Sequence, residues 1–255
     1  MIAATGNRAA RSTAAWLYLL LLLLRKEVTS TLATVANSVL LPICICYSAF
    51  MVSPTNIDVQ RTWAIGGLVV GMGMTCLTQV SFAVATDRLR GGMRLIATLP
   101  VSARAYIASH LTYGVMLGLL VAGSGAVFLR ISGLTAVSWD ALPQLIFVAA
   151  LSGLSLACIG VAIGIWTPDV ATADTVVSSA GLVLAIVSPV FYPLSALPSY
   201  LRPIGWLSPY THIASLASDI ANARPLSLAH LSALAAIAAG ALFSTMLLYR
   251  RGTTR

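Results

Sequence analysis

Between Ala141 and Pro168 the chain carries no Asp, Glu, Lys, Arg or His. A run that long and apolar is built either to sit deep in a large core or to cross a bilayer, whose hydrocarbon needs about 20 helical residues. Runs of this kind recur. They cover about 33–52, 63–85, 105–129, 143–166, 174–194 and 228–249, and the third has no charge from Ala105 to Leu129, with His110 near its start. Composition decides between the two readings. Of 255 residues 58% are hydrophobic and only 9% charged, against about 25% charged in a soluble domain. Too few charges exist to cover a water-facing surface, so the surface faces lipid. The expected fold is an all-α membrane protein with six transmembrane helices.

The N-terminus is treated separately. The apolar stretch from Trp16 to Leu24 stops at Arg25-Lys26-Glu27 and is too short to span. A signal peptide would need a small-residue cleavage site directly after it, and none follows. An uncleaved interfacial helix leading into the first span fits better. The organisation expected is therefore 1–32 as a cytoplasmic or interfacial segment, 33–250 as the transmembrane domain and 251–255 as a cytoplasmic tail.

Lys and Arg give the orientation. With the N-terminus inside, the inner segments hold Arg8, Arg11, Arg25, Lys26, Arg88, Arg90, Arg94, Arg104, Arg250, Arg251 and Arg255, and the outer ones Arg61, Arg130, Arg202 and Arg224, eleven against four. The positive-inside rule then puts both termini in the cytoplasm. Trp63, Trp139, Trp166 and Trp206 fall at or near span ends or loops, where indoles settle between headgroups and tails. Small residues four apart, Gly67 and Gly71, Gly114 and Gly118, Gly160 and Gly164, mark close helix crossings.

The net charge of +8 does not point to nucleic acid, because the basic residues lie in short segments between apolar runs rather than on one aromatic-lined face. Cys44, Cys46, Cys76 and Cys158 all lie in apolar runs and make no CxxC, so no metal site or catalytic or cofactor-binding residue is expected from them. The sole lysine, Lys26, follows leucines and an arginine. The phosphate-binding pattern GxxxxGK[ST] is therefore absent, and any ATP used must be hydrolysed by another polypeptide.

Two segments depart from simple spans. The first runs from Ala85 to Arg104. Read as a helix it has Leu89, Met93 and Ile96 on one face and Arg88, Arg90 and Arg94 elsewhere, is interrupted at Gly91-Gly92, and closes on Leu99-Pro100-Val101-Ser102. An amphipathic pattern of this kind exceeds what orientation alone requires and reads as a docking surface. The second, Ser188 to Tyr210, holds Pro189, Pro193, Pro198, Pro203 and Pro209, which forbid one continuous helix. It remains apolar and aromatic, and broken backbone at membrane depth must be packed in protein or line a cavity. A broken re-entrant hairpin between the fifth and sixth spans is expected.

These segments resemble the hallmarks of the type-2 ATP-binding-cassette exporter permeases, a family of drug, lipid and polysaccharide exporters. Asp87, Gly91 or Gly92, and Leu99-Pro100-Val101-Ser102 match the family's cytoplasmic coupling helix. Phe191-Tyr192-Pro193-Leu194-Ser195-Ala196-Leu197-Pro198, followed by Ser208-Pro209-Tyr210-Thr211-His212, match its outer Pro-rich element. The likeness covers nearly the whole chain. Many relatives carry an acidic residue where this chain has Arg94, which puts partner identity in question.

The resemblance implies a permease subunit without catalytic residues or cofactors of its own. ATP and Mg would be bound by a separate P-loop ATPase, two copies per complex, docked on Asp87, Arg88, Arg90, Gly91, Gly92, Arg94 and Leu95. A second permease, identical or homologous, would complete the core. The outer hairpin would be built on Phe191, Pro193, Pro198 and Pro209. The substrate path would lie between protomers in the lipid bilayer, with Thr75, Thr78, Gln79, Ser178, Ser179 and Ser188 supplying uncharged polarity. A mostly apolar lining points to a small hydrophobic or amphiphilic cargo, drug or lipid, and the low aromatic content, 7%, disfavours polysaccharide. Lysine-poor, Arg- and Ala-rich usage points to a GC-rich bacterium, and the expected location is its plasma (inner) membrane. Rival readings are an ion-coupled carrier, which would want carboxylates mid-membrane where all seven acids here fall in loops or at span ends, and an immunity or anchor subunit, which would need no broken hairpin. A rhomboid-type serine protease has no Ser/His dyad here, since His110, His212 and His230 fall at span margins or in a loop.

Overall fold

The computed structural model describes residues 16–22, 39–40, 42–44, 47–48, 51, 55–91, 103–134, 139–192 and 197–252. Among these residues the regular structure is helical. Besides a helical stretch at 16–22, within the expected interfacial segment, seven helices carry the fold among the described residues: α1 (Ile57–Leu89), α2 (Ala103–Ile131), α3 (Leu142–Trp166), α4 (Val170–Val187), α5 (Arg202–Leu207), α6 (Pro209–Ala221) and α7 (Leu228–Gly252). Five of them, α1, α2, α3, α4 and α7, are long and apolar enough to cross a membrane. The first expected span, 33–52, lies mostly outside the described residues. Pro42 within it packs against Gly71 of α1.

Local chemistry sets the ends. The Asn56 side chain accepts from the backbone N–H of Asp58 and Val59 at 3.1 and 3.2 Å, capping α1, and Asp58 in its first turn suits the positive helix end. At the other end Gly91 takes φ +75 and its N–H bonds the Arg88 carbonyl, a left-handed stop that a side chain would strain. The 33 residues of α1 reach about 50 Å, well beyond a hydrocarbon core of about 30 Å. The expected span 63–85 was therefore short at both ends: polar Asp58, Arg61, Asp87 and Arg88 sit on helical turns that continue past the apolar run.

α1 and α3 form the centre. α3 packs on α1, α2, α4, α6 and α7, and α1 on α2, α3, α4 and α6. The glycine pairs make this possible. A Cβ on Gly118 would fall 2.9 Å from the Gly153 Cα, and one on Gly164 would fall 2.8 Å from the Ser81 carbonyl oxygen. The backbones of α2 and α3, and of α3 and α1, thus touch directly, which is how helices associate where lipid removes the hydrophobic drive. α1 is the most buried of the five long helices and α4 and α7 the least. Their outer faces carry Leu182, Val183 and Ile186, and Phe243, Met246 and Leu247.

The fifth span differs from expectation. α4 covers 170–187 rather than 174–194. It starts earlier because Asp169 caps it, accepting from the N–H and hydroxyl of Thr172 at 2.7 and 2.9 Å. It ends earlier because Pro189 follows the Ser188 cap.

Candidate functional site

The two ends of α1 gather the ionisable groups. At its C-terminal end, Asp87 and Arg88 belong to the last turn of α1 rather than opening a separate helix. Both turn toward the bundle. The Asp87 carboxylate lies 3.5 Å from Nε2 of the buried His110 on α2, whose ring packs on Tyr106. The Arg88 guanidinium donates to the Ile165 carbonyl at 2.7 Å and also to the Thr167 carbonyl. These carbonyls terminate α3 and have no helical partner of their own, so Arg88 is a side-chain cap that fits the negative end of the α3 dipole. The same turn holds Asp169. Hydrogen bonds from the Thr172 N–H and hydroxyl, with Arg88 nearby as a lesser influence, hold its carboxyl below the usual range.

Of the other residues expected to dock a partner, Arg90 is exposed and Gly91 ends the helix in open space. Gly92, Arg94 and Leu95 lie outside the described residues.

The Pro-rich stretch, whose residues 193–196 lie outside the described ones, is broken as its prolines require. It contains the short α5 and then α6, and the chain satisfies the broken backbone with side chains. Thr211 donates its hydroxyl to the Gly205 carbonyl, and His212 Nε2 bonds the Trp206 carbonyl at 2.8 Å, so α6 caps the end of α5. With Nε2 protonated, His212 Nδ1 is left to accept from His230 Nδ1 on α7 at 2.9 Å. Trp206 closes this cluster edge-on against His212, with ring centroids 5.2 Å apart. The Ser188 hydroxyl donates to the Ser208 hydroxyl at 2.5 Å, tying the end of α4 to the start of α6. Pro209 is buried in the first turn of α6, Pro198 is exposed, Phe191 packs on Trp63 with centroids 4.8 Å apart, and Pro193 is outside the described residues.

α6 starts at mid-depth. A Cβ on Gly73 would fall 2.2 Å from the Tyr210 ring, and Gly73 lies about 24 Å along α1. From there α6 returns toward the α1 N-terminus, where its last turns share a cavity of about 840 Å³ with Asp58, Arg61, Phe191, Trp206, Asp219 and His230. Volumes of this order are typical of small-molecule sites. Composition alone did not reveal this cavity. No local pattern signalled it, because Asp58 and Asp219 lie far apart in the sequence.

The polar residues expected along a path divide. Thr75, Thr78 and Gln79 lie on α1, and Ser178 and Ser179 on α4, which packs against it. Thr78 spends its hydroxyl on the Met74 carbonyl, and Ser188 is committed to Ser208. None of the six is among the residues lining the cavity.

A bundle of long apolar helices with glycine-mediated crossings and polar ends defines a multi-pass membrane protein. Residues 13–221 match the family model of the ABC-2 type transporter, and the chain belongs to that family. Members are membrane components and not themselves ATPases, so the chain is a transporter permease subunit. No curated protein matches it.

Proposed function

We propose that this chain is the permease half of an ATP-driven exporter in a bacterial plasma membrane, with both termini cytoplasmic and a separate P-loop ATPase docked on residues 90–102. Family membership over residues 13–221 carries the reading, because the family implies an ATPase partner. Two observations support it. Gly91 stops α1 and releases the chain at the end where Arg90 is exposed, and the eleven-to-four excess of Lys and Arg lies on that side. Two permeases, identical or homologous, would pair with two ATPases, and ATP and Mg would be held by the ATPases. The path would run between permeases beside α1 and α4, and the broken segment holding α5 and α6 would be a re-entrant element at the outer end. A small amphiphilic or hydrophobic cargo, drug or lipid, suits a lining with so little charge.

Arg88 donates to the end of α3, and in this reading Arg90 and Arg94 carry more of the docking than it does. In mild detergent the chain should co-purify with an ATPase in about equal amount. Arg90→Glu with Arg94→Glu should strip the ATPase while the permease stays folded. Recovery of the chain alone from native membranes, as a clean oligomer, would sink the reading.

A further inference from the structure

The cavity at the α1 N-terminal end has an electrostatic character that the rest of the bundle lacks. Asp58 approaches it from the first turn of α1 and Asp219 from the last turns of α6. Among the described residues neither carboxylate is ion-paired, although Arg61 lines the same space. Arg61 is engaged elsewhere: its Nε donates to the Leu134 carbonyl in the connection after α2 at 2.8 Å. Asp219 accepts only one backbone bond from outside its helix, from Ser227 N–H at 3.2 Å, and Asp58 is exposed. With neutral imidazoles the lining therefore carries two negative charges against one positive. Phe191 and Trp206 add aromatic faces.

Unpaired carboxylates beside aromatic rings and a low-dielectric bundle attract a cation more strongly than either feature does alone. The lining mixes hydroxyl and amide groups, Thr62, Ser215, Ser218 and Asn222 among them, with Ile65, Val190, Phe191 and Trp206, and this apolar part favours a cation with an organic body over a bare, strongly hydrated ion. We infer that this cavity binds a drug-sized organic cation, its charge held between Asp58 and Asp219 and its apolar part against Phe191 and Trp206. This deepens the exporter reading by naming a substrate class, and it rests on that reading only for the direction in which the cation moves.

The test is equilibrium binding of radiolabelled tetraphenylphosphonium to the full chain in lipid nanodiscs, with empty nanodiscs subtracted for partition. The near-isosteric anion tetraphenylborate is the control. Saturable binding of the cation and none of the anion is expected. Asp58→Asn and Asp219→Asn should each weaken it about fivefold, the scale of a partly exposed charge contact, and the double variant more. Asp58→Glu should restore binding, and Arg61→Gln should tighten it, an opposite sign that misfolding would not produce. Equal saturable binding of cation and anion, or cation binding unchanged in the double variant, overturns the inference. Neither result bears on whether an ATPase co-purifies, so the two readings fail separately.

Discussion

The two ends of α1 carry similar residues and use them in opposite ways. At the Gly91 end every charged side chain of the last turn that faces the bundle is consumed by it: Asp87 by His110, Arg88 by the final carbonyls of α3, with Asp169 capping α4 beside them. At the Asn56 end, Asp58 and Asp219 have no ion-pair partner among the described residues and border an open cavity. Charge spent on backbone and neighbouring helices fixes their relative positions. Charge left facing a cavity contributes little to the fold and remains available to a ligand. One end is built to be held and the other to receive.

The largest effect that would break this contrast comes from Arg88. Arg88→Ala leaves the Ile165 and Thr167 carbonyls without their charged donor, and a loss of about 2–3 kcal/mol is expected in an SDS-titration unfolding measurement. Arg88→Lys should recover only part of it, because an ammonium lacks the planar fork that reaches both carbonyls. An unchanged unfolding midpoint for the alanine variant would mean that this end is not held by its charges. Next in size, a double-mutant cycle on Asp87→Asn and His110→Gln should return a coupling of about 0.5–1 kcal/mol. Zero coupling would remove the α1–α2 half of the clamp.

The opposite end should be nearly silent in the same assay. Asp58→Asn and Asp219→Asn are each expected within about 0.5 kcal/mol of the parent, and a larger loss would assign those carboxylates to the fold. The smallest effect is a pH dependence. Asp169 is held below the ordinary aspartate value of 3.8, so its cap is fully present above that value and is lost as pH falls through the lowered one. The acid limb of stability below pH 3.8 should flatten in Asp169→Asn, as followed by circular dichroism in detergent.

Most of the long helices were legible because lipid imposes one requirement, a continuous apolar run, that sequence displays directly. The expected 143–166 and the observed Leu142–Trp166 differ by a single residue, since Pro143 and Pro168 mark both ends chemically. Gly114, Gly118, Gly160 and Gly164 were readable as crossings for the same reason. What sequence did not display is direction. Arg88 and Arg90 are both basic residues beside a Gly-Gly break, and only the fold shows that one reaches back about one helix width to α3 while the other faces outward. The cavity was hidden for a related reason. Its two acids are far apart in sequence and are brought together by a helix whose depth is set by the seat of Tyr210 on Gly73, a long-range contact with no local pattern.

That seat has a consequence for biogenesis. The 13 residues of α6 are about 20 Å of helix, too short to be released into a bilayer as a span and mostly unable to hold themselves helical in isolation. Among the described residues its partners are α1, α3, α5 and α7, and α7 is made after it. α6 therefore completes its packing only once α7 has been made. Insertion of the long helices and completion of the ligand-facing end are thus separate events, and a chain truncated before Leu228 would be embedded in the membrane with its receiving end unfinished.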